Sequence, residues 1–147
     1  MCVFAGRVVL AELAAPRLHM YNPAAVDLDG GTPISSATLT RGTLVRACAA
    51  DATSLYAVVA TSSGTDDIVQ LDANLNEVTW PGLPTGLAAD KKRLLDLAWD
   101  RRGGQFYGLF VGTEVNTAAV TPFIMGGAVG TAVTAPFALS TLSTFAP

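Results

Sequence analysis

Two short apolar runs set the terms for this chain. Leu55–Ala60 (LYAVVA) and Gln105–Val111 (QFYGLFV) are both bounded by turn residues: Asp51-Ala52-Thr53-Ser54 precedes the first and Arg101-Arg102-Gly103-Gly104 the second. An apolar run of this length between turn signals reads as a strand buried on both faces. Such a strand needs cover above and below, so a chain built from these runs has to stack its sheets.

The flanking residues extend the pattern. Val45–Ala50 (VRACAA) pairs with the first run as a hairpin, and Leu94–Asp100 (LLDLAWD) pairs with the second. After the first run come a polar loop over Thr61–Asp67, a strand over Ile68–Asp72, a turn over Ala73–Asn76 and a strand over Glu77–Trp80. Pro81-Gly82-Leu83-Pro84 then stops the chain. The unit is a four-stranded antiparallel meander. The best helical window, Gly86–Leu95, runs on into LLDLAWD and a Gly-Gly turn, which suits a strand better.

The unit recurs. Ala50-Asp51 matches Trp99-Asp100 at a shift of 49, and Leu55-Tyr56-Ala57-Val58 matches Phe106-Tyr107-Gly108-Leu109 at a shift of 51. Val8–Ala11 and Leu18–Pro23 fall where an earlier copy requires its second and third strands. Gly31–Ser36 matches Gly130–Ala135 at a shift of 99, two periods on. The chain thus divides as one β domain, 1–147, into approximate repeats 1–44, 45–93 and 94–147.

The run LLDLAWDRRGGQFYGLF resembles the inner two strands of a β-propeller blade, and AADATSLYAVV resembles them again. IVQLDANLNEVTW is similar to the outer two. The likeness is to non-WD40 propellers with a "Leu-Tyr-Ala" second strand; no Gly-His opens a repeat, and Trp99-Asp100 falls on a first strand rather than closing a blade. The resemblance implies a fold and no particular activity. It also implies that LYAVVA and FYGLFV are covered on both faces by neighbouring blades, and that outer strands such as VQLD and EVTW are more polar.

Closed propellers have about four to eight blades, and this chain supplies about three. Three blades alone leave two bare apolar faces, on the order of several hundred Å² each, which soluble monomers avoid. The chain is then a fragment, or closes with a copy of itself as a six-bladed homodimer, or folds instead as a β-sandwich or barrel. Closed symmetry is the rule for homo-oligomers, which favours the homodimer. The tail Phe137–Pro147 resembles the region of Ala37–Thr40, as though the next blade followed on another chain.

Composition removes other classes. Half the residues are hydrophobic, 14% are charged, and the net charge is −3. A disordered chain would be less apolar, and a nucleic-acid binder would carry a basic stripe; Lys91-Lys92-Arg93 is too short to be one. No apolar run approaches the length of a spanning helix. Arg7 and Glu12 break up the apolar N-terminus, against a signal peptide. Cys2 and Cys48 could join in an oxidising compartment, but the reading favoured by composition is two buried thiols acting as small hydrophobes.

Candidate chemistry is sparse. His19 is the sole histidine, so a serine triad or a histidine metal site would have to use it; a strand histidine is the plainer reading. Asp27-Leu28-Asp29-Gly30 opens like a Ca²⁺ loop but lacks the closing Glu, which makes it a turn. Asp66-Asp67 reads as a solvated loop tip, and Arg101-Arg102 as exposed turn residues able to grip an anion. Gly126–Gly130 is read as a turn, because no helix or Lys follows to make a phosphate loop. Trp99 is assigned to the core, and Trp80 is the better exposed platform for a sugar ring.

These readings point to a non-catalytic binding or structural module that self-assembles, with a small polar ligand such as a saccharide as its candidate partner. The alternative is a virion or assembly subunit without a small-molecule ligand. A hydrolase or lyase using Asp27, Asp29, Asp66 and Asp67 is a third reading. No catalytic or metal site, cofactor, nucleic acid or membrane partner is assigned.

Overall fold

The computed structural model describes residues 1–25, 31–90, 93–112, 118–131 and 133–134. Three four-stranded antiparallel sheets make up the fold, each a meander in which successive strands pair. The first sheet holds β1 (Cys2–Phe4), β2 (Arg7–Ala11), β3 (Arg17–Tyr21) and β4 (Ser35–Thr38). The second holds β5 (Leu44–Ala50), β6 (Leu55–Ala60), β7 (Asp66–Leu71) and β8 (Glu77–Thr79). The third holds β9 (Arg93–Asp100), β10 (Gln105–Val111), β11 (Ala118–Phe123) and β12 (Val133–Thr134). The chain is an all-β, propeller-like array, and the helical window near Gly86 holds no helix.

The sheets stack face to face in chain order, with two cores between them. Each sheet has a rear face toward the sheet before it and a front face toward the sheet after. The rear face of the second sheet (Leu55, Ala57, Val59, Val69, Leu71) packs on Val9, Leu18 and Met20 of the first. Its front face (Tyr56, Val58, Ile68) packs on Leu94, Leu97, Phe106, Phe110 and Phe123 of the third. Period-2 alternation of side chains produces this division: odd residues of β6 face one way and even ones the other. All six residues of β6 are buried, as a strand covered on both sides requires.

β10 departs from the expectation of two covered faces. Its burial alternates: Phe106, Gly108 and Phe110 are buried, while Tyr107, Leu109 and Val111 are half-buried. Among the described residues, a sheet lies against its rear face alone. β7 departs in the other direction, since IVQL is largely buried rather than polar and open. The third strand still lies under both neighbouring sheets.

The repeat is visible in backbone irregularities too. β5 carries a bulge at Arg46, between Val45 and Ala47, and β9 carries one at Leu95, between Leu94 and Asp96. These positions lie 49 apart, the shift found in sequence. Register agrees: Leu55 opposes Leu71 and Tyr56 opposes Gln70, as Phe106 opposes Phe123 and Tyr107 opposes Pro122.

Cys2 and Cys48 are not free thiols. They form a disulfide with a Cα–Cα distance of 5.8 Å, joining β1 to β5 across the first core. Cys48 and the small residue Ala50 face the first core from β5, and β1 lies directly against that strand. Cys48 is buried and Cys2 partly buried on facing strands of the first core, and that placement brings the sulfurs together.

Two close approaches fix glycines. Gly42 has φ of 89°, and a Cβ there would sit 2.7 Å from Val59 Cγ1. At Gly108 a Cβ would meet Phe110 Cε2 at 2.5 Å and Leu94 Cδ1 at 2.8 Å. The crowding at Gly108 comes from side chains of its own sheet, not from a neighbouring backbone.

Candidate functional site

Three places combine exposed surface with specific chemistry. The first is a cleft of about 360 Å³ between the β5–β6 turn and the β9–β10 turn, lined by Ala50, Asp51, Ala52, Trp99 and Arg101. Asp51 organises its own turn: Oδ1 accepts from the Thr53 and Ser54 amides at 2.7 and 2.8 Å and from Thr53 Oγ1 at 3.0 Å. Among the described residues its Oδ2 accepts only the Tyr56 hydroxyl, at 3.3 Å. Partial burial raises the Asp51 pKa, but the bonds from Thr53, Ser54 and Tyr56 outweigh it and hold the carboxyl below its ordinary value. Across the cleft, Trp99 packs on Phe106 at 4.7 Å between ring centroids. Arg101 is exposed and forms no ion pair among the described residues.

The second place is the front face of the third sheet. Tyr107, Leu109 and Val120 form a shallow apolar groove of about 220 Å³ with Asp96, Leu97, Ala98 and Gly108. The third is the rear face of the first sheet. There Val3 is 65% exposed, and Val8, Leu10, His19 and Tyr21 are half-buried.

His19 lies on that rear face inside a polar cluster. Its Nδ1 meets Ser36 Oγ at 2.8 Å and its Nε2 meets Glu12 Oε1 at 2.8 Å. Arg17 also donates to Glu12 Oε1, at 3.2 Å. The hydrogen bond with His19 is the main cause of a lowered Glu12 pKa; together with the Arg17 charge it outweighs the desolvation that opposes it. The order Ser–His–Glu resembles a hydrolase relay, but Glu12 is shared with a guanidinium and the cluster lies on an open sheet face rather than in a cleft. Its evident work is to cross-link β3 to β4 and to the β2–β3 turn.

Of the carboxylates read as a possible catalytic group, Asp66 and Asp67 lie within the described residues, and each has partners of its own. Asp66 is no loop tip: it is buried in β7, accepts from Arg46 Nε at 2.9 Å and from the Leu94 amide at 2.7 Å, and so joins the second sheet to the third. Asp67 lies near Arg41 at 3.8 Å and accepts the Ile68 amide. Asp27, Asp29, Lys91, Lys92 and the tail Phe137–Pro147 lie outside the described residues. Among the described residues no three His, Cys, Asp or Glu side chains gather as a metal site.

Trp99 packs against the second core, as expected of it, while its exposed part lines the cleft; Trp80 is half-buried rather than an open platform. Trp80 donates from Nε1 to Glu77 Oε2 at 2.9 Å, carries Arg41 over its ring at 5.0 Å, and packs against the first core. The Gly126–Gly130 run turns at Ile124–Gly127 and is held by Thr85, whose amide donates to the Gly127 carbonyl at 3.0 Å.

No protein-family model matches this chain, and a search of curated proteins returns no relative. The groove on the third sheet was missed from sequence, although its signal was present: Tyr107 and Leu109 are the shifted counterparts of Tyr56 and Val58.

Proposed function

We propose that the chain is a non-catalytic, self-assembling propeller-like module whose two bare faces are covered by a second copy, giving six blades. One observation carries the reading. Tyr56, Val58 and Ile68 on the front face of the second sheet are at most 6% exposed because the third sheet covers them. Their counterparts Tyr107, Leu109 and Val120 face an open groove. On the other side, Leu55, Ala57 and Val69 are fully buried against the first sheet, whereas their counterparts Val8, Leu10 and His19 remain half-buried.

The described sheets therefore present, at the two ends of the stack, one copy of each surface that packs inside it. A front face and a rear face are complementary by construction, and a two-fold axis lets both pairs close at once. A protein with apolar patches of this kind uses them as contacts.

Light scattering at micromolar concentration tests the reading. The expected mass is twice the 15.1 kDa of the chain. Leu109→Arg, a change on the open face, should return the protein to the single-chain mass with its far-UV circular dichroism unchanged. A wild-type mass of one chain overturns the reading, and a broad series of masses overturns closure in favour of open head-to-tail stacking.

A further inference from the structure

We propose that the cleft between the β5–β6 and β9–β10 turns binds a small neutral saccharide through adjacent hydroxyls. This goes beyond self-assembly and does not rest on it, because both turns belong to one chain and the same pair of sheets.

The cleft lies where the repeats differ. In the first sheet, Phe4 is the last residue before the β1–β2 turn, pairs with Arg7, and is buried at 4% exposure in the first core. In the second sheet, Asp51 holds the corresponding place, its amide bonded to the Ser54 carbonyl. At that place a phenyl ring is buried in the first core, whereas in the next seam a short carboxylate lines an opening. That opening is about 360 Å³, within the range of small-ligand sites, about 300 to 1,000 Å³.

What lines the opening defines the ligand. Trp99 offers an aromatic surface and an indole N–H without a hydrogen-bond partner among the described residues. Arg101 offers guanidinium donors with no acceptor engaged among the described residues. Asp51 Oδ1 is saturated by its turn, but Oδ2 takes a single long bond and retains acceptor capacity. A cation and an anion thus flank an aromatic wall. A carboxylate or phosphate ligand would meet Asp51, and an amine would meet Arg101. A sugar carries hydroxyls that both donate and accept, beside a C–H face that packs on an aromatic ring. Two neighbouring hydroxyls suit Arg101 and Asp51 together.

The test is a titration of the full chain followed by the two tryptophan indole N–H resonances in ¹⁵N-correlated spectra. The probes are methyl glucoside, methyl mannoside and methyl galactoside, with glucuronic acid for comparison, each to a concentration on the order of 10 mM, above the Kd of a weak site near about 1 mM. The expected result is a saturable shift of the Trp99 resonance with at least one neutral sugar, while Trp80 stays still. Arg101→Ala, at an exposed turn, should weaken that binding about tenfold, in line with loss of a charged hydrogen bond. No saturable shift with any neutral sugar overturns the proposal. So does binding that Arg101→Ala leaves intact, or binding of glucuronic acid alone.

Discussion

The two seams between sheets solve one packing problem with different materials. The first is mainly aliphatic, built from Val9, Leu18, Met20, Leu55, Val69 and Leu71 with Phe4 as its one fully enclosed ring among the described residues, and is closed covalently by Cys2–Cys48. The second is aromatic: Tyr56 meets Phe106 edge-on at 4.9 Å, and Phe123 contacts both Phe106 and Phe110. Its tie is the Asp66 carboxylate, held by Arg46 and the Leu94 amide. Small residues on the inner strands of the first seam let two sulfurs meet. Larger rings fill the second, and there a hydrogen-bonded charge crosses between sheets. One sheet-stacking geometry therefore tolerates wide changes in chemistry, provided each face keeps its alternation.

Removing the tie of each seam should separate their contributions. Cys2→Ser with Cys48→Ala deletes a bridge between residues 46 apart and should cost about 4 kcal/mol by loop-closure entropy, read from chemical denaturation. Asp66→Ala should cost about 3 kcal/mol, because it strands the Arg46 charge and the Leu94 amide; hydrogen exchange at Leu94 should rise with it. Equal costs with protection at Leu94 unchanged would break the comparison.

Gly108→Ala sharpens it. A methyl group there presses on Phe110 and Leu94, the rear-face packing of the third sheet, and should cost about 2 kcal/mol. A neutral result would mean that the second core yields more readily than its aromatic packing implies.

The smallest effect is acid sensitivity at the first seam. Burial alone would raise the Glu77 pKa, but bonds from the Thr40 amide and hydroxyl and from Trp80 leave it lowered. A lowered carboxyl pKa stabilises the fold above the unfolded value, about 4.3, and that contribution is lost as pH falls through the folded value. The denaturation midpoint of wild type should therefore drop below about pH 4.3 more steeply than that of Glu77→Gln.

The strand runs around LYAVVA and QFYGLFV were legible because short apolar segments between turn signals have few other uses, and the shift of 49 to 51 laid the sheets out in order. The disulfide was not legible: spacing of 46 residues does not say whether two strands face each other. Asp66 was misplaced because a polar run from Thr61 reads as loop to its end, whereas the strand begins on its charged residue, whose partner Arg46 lies 20 residues earlier. The cleft depends on aligning Phe4 with Asp51, two residues without chemical likeness. Only paired backbones reveal that they hold one position.

The Cys2–Cys48 bridge acts as a latch on one end of the stack. It pins the sheet that bears the open rear face, while the third sheet is fastened without covalent help. A thiol reagent would thus slacken the sheet with the open rear face and spare the third sheet, which bears the groove. In a two-fold pair each contact between chains includes one latched sheet, so reduction would loosen both joints together.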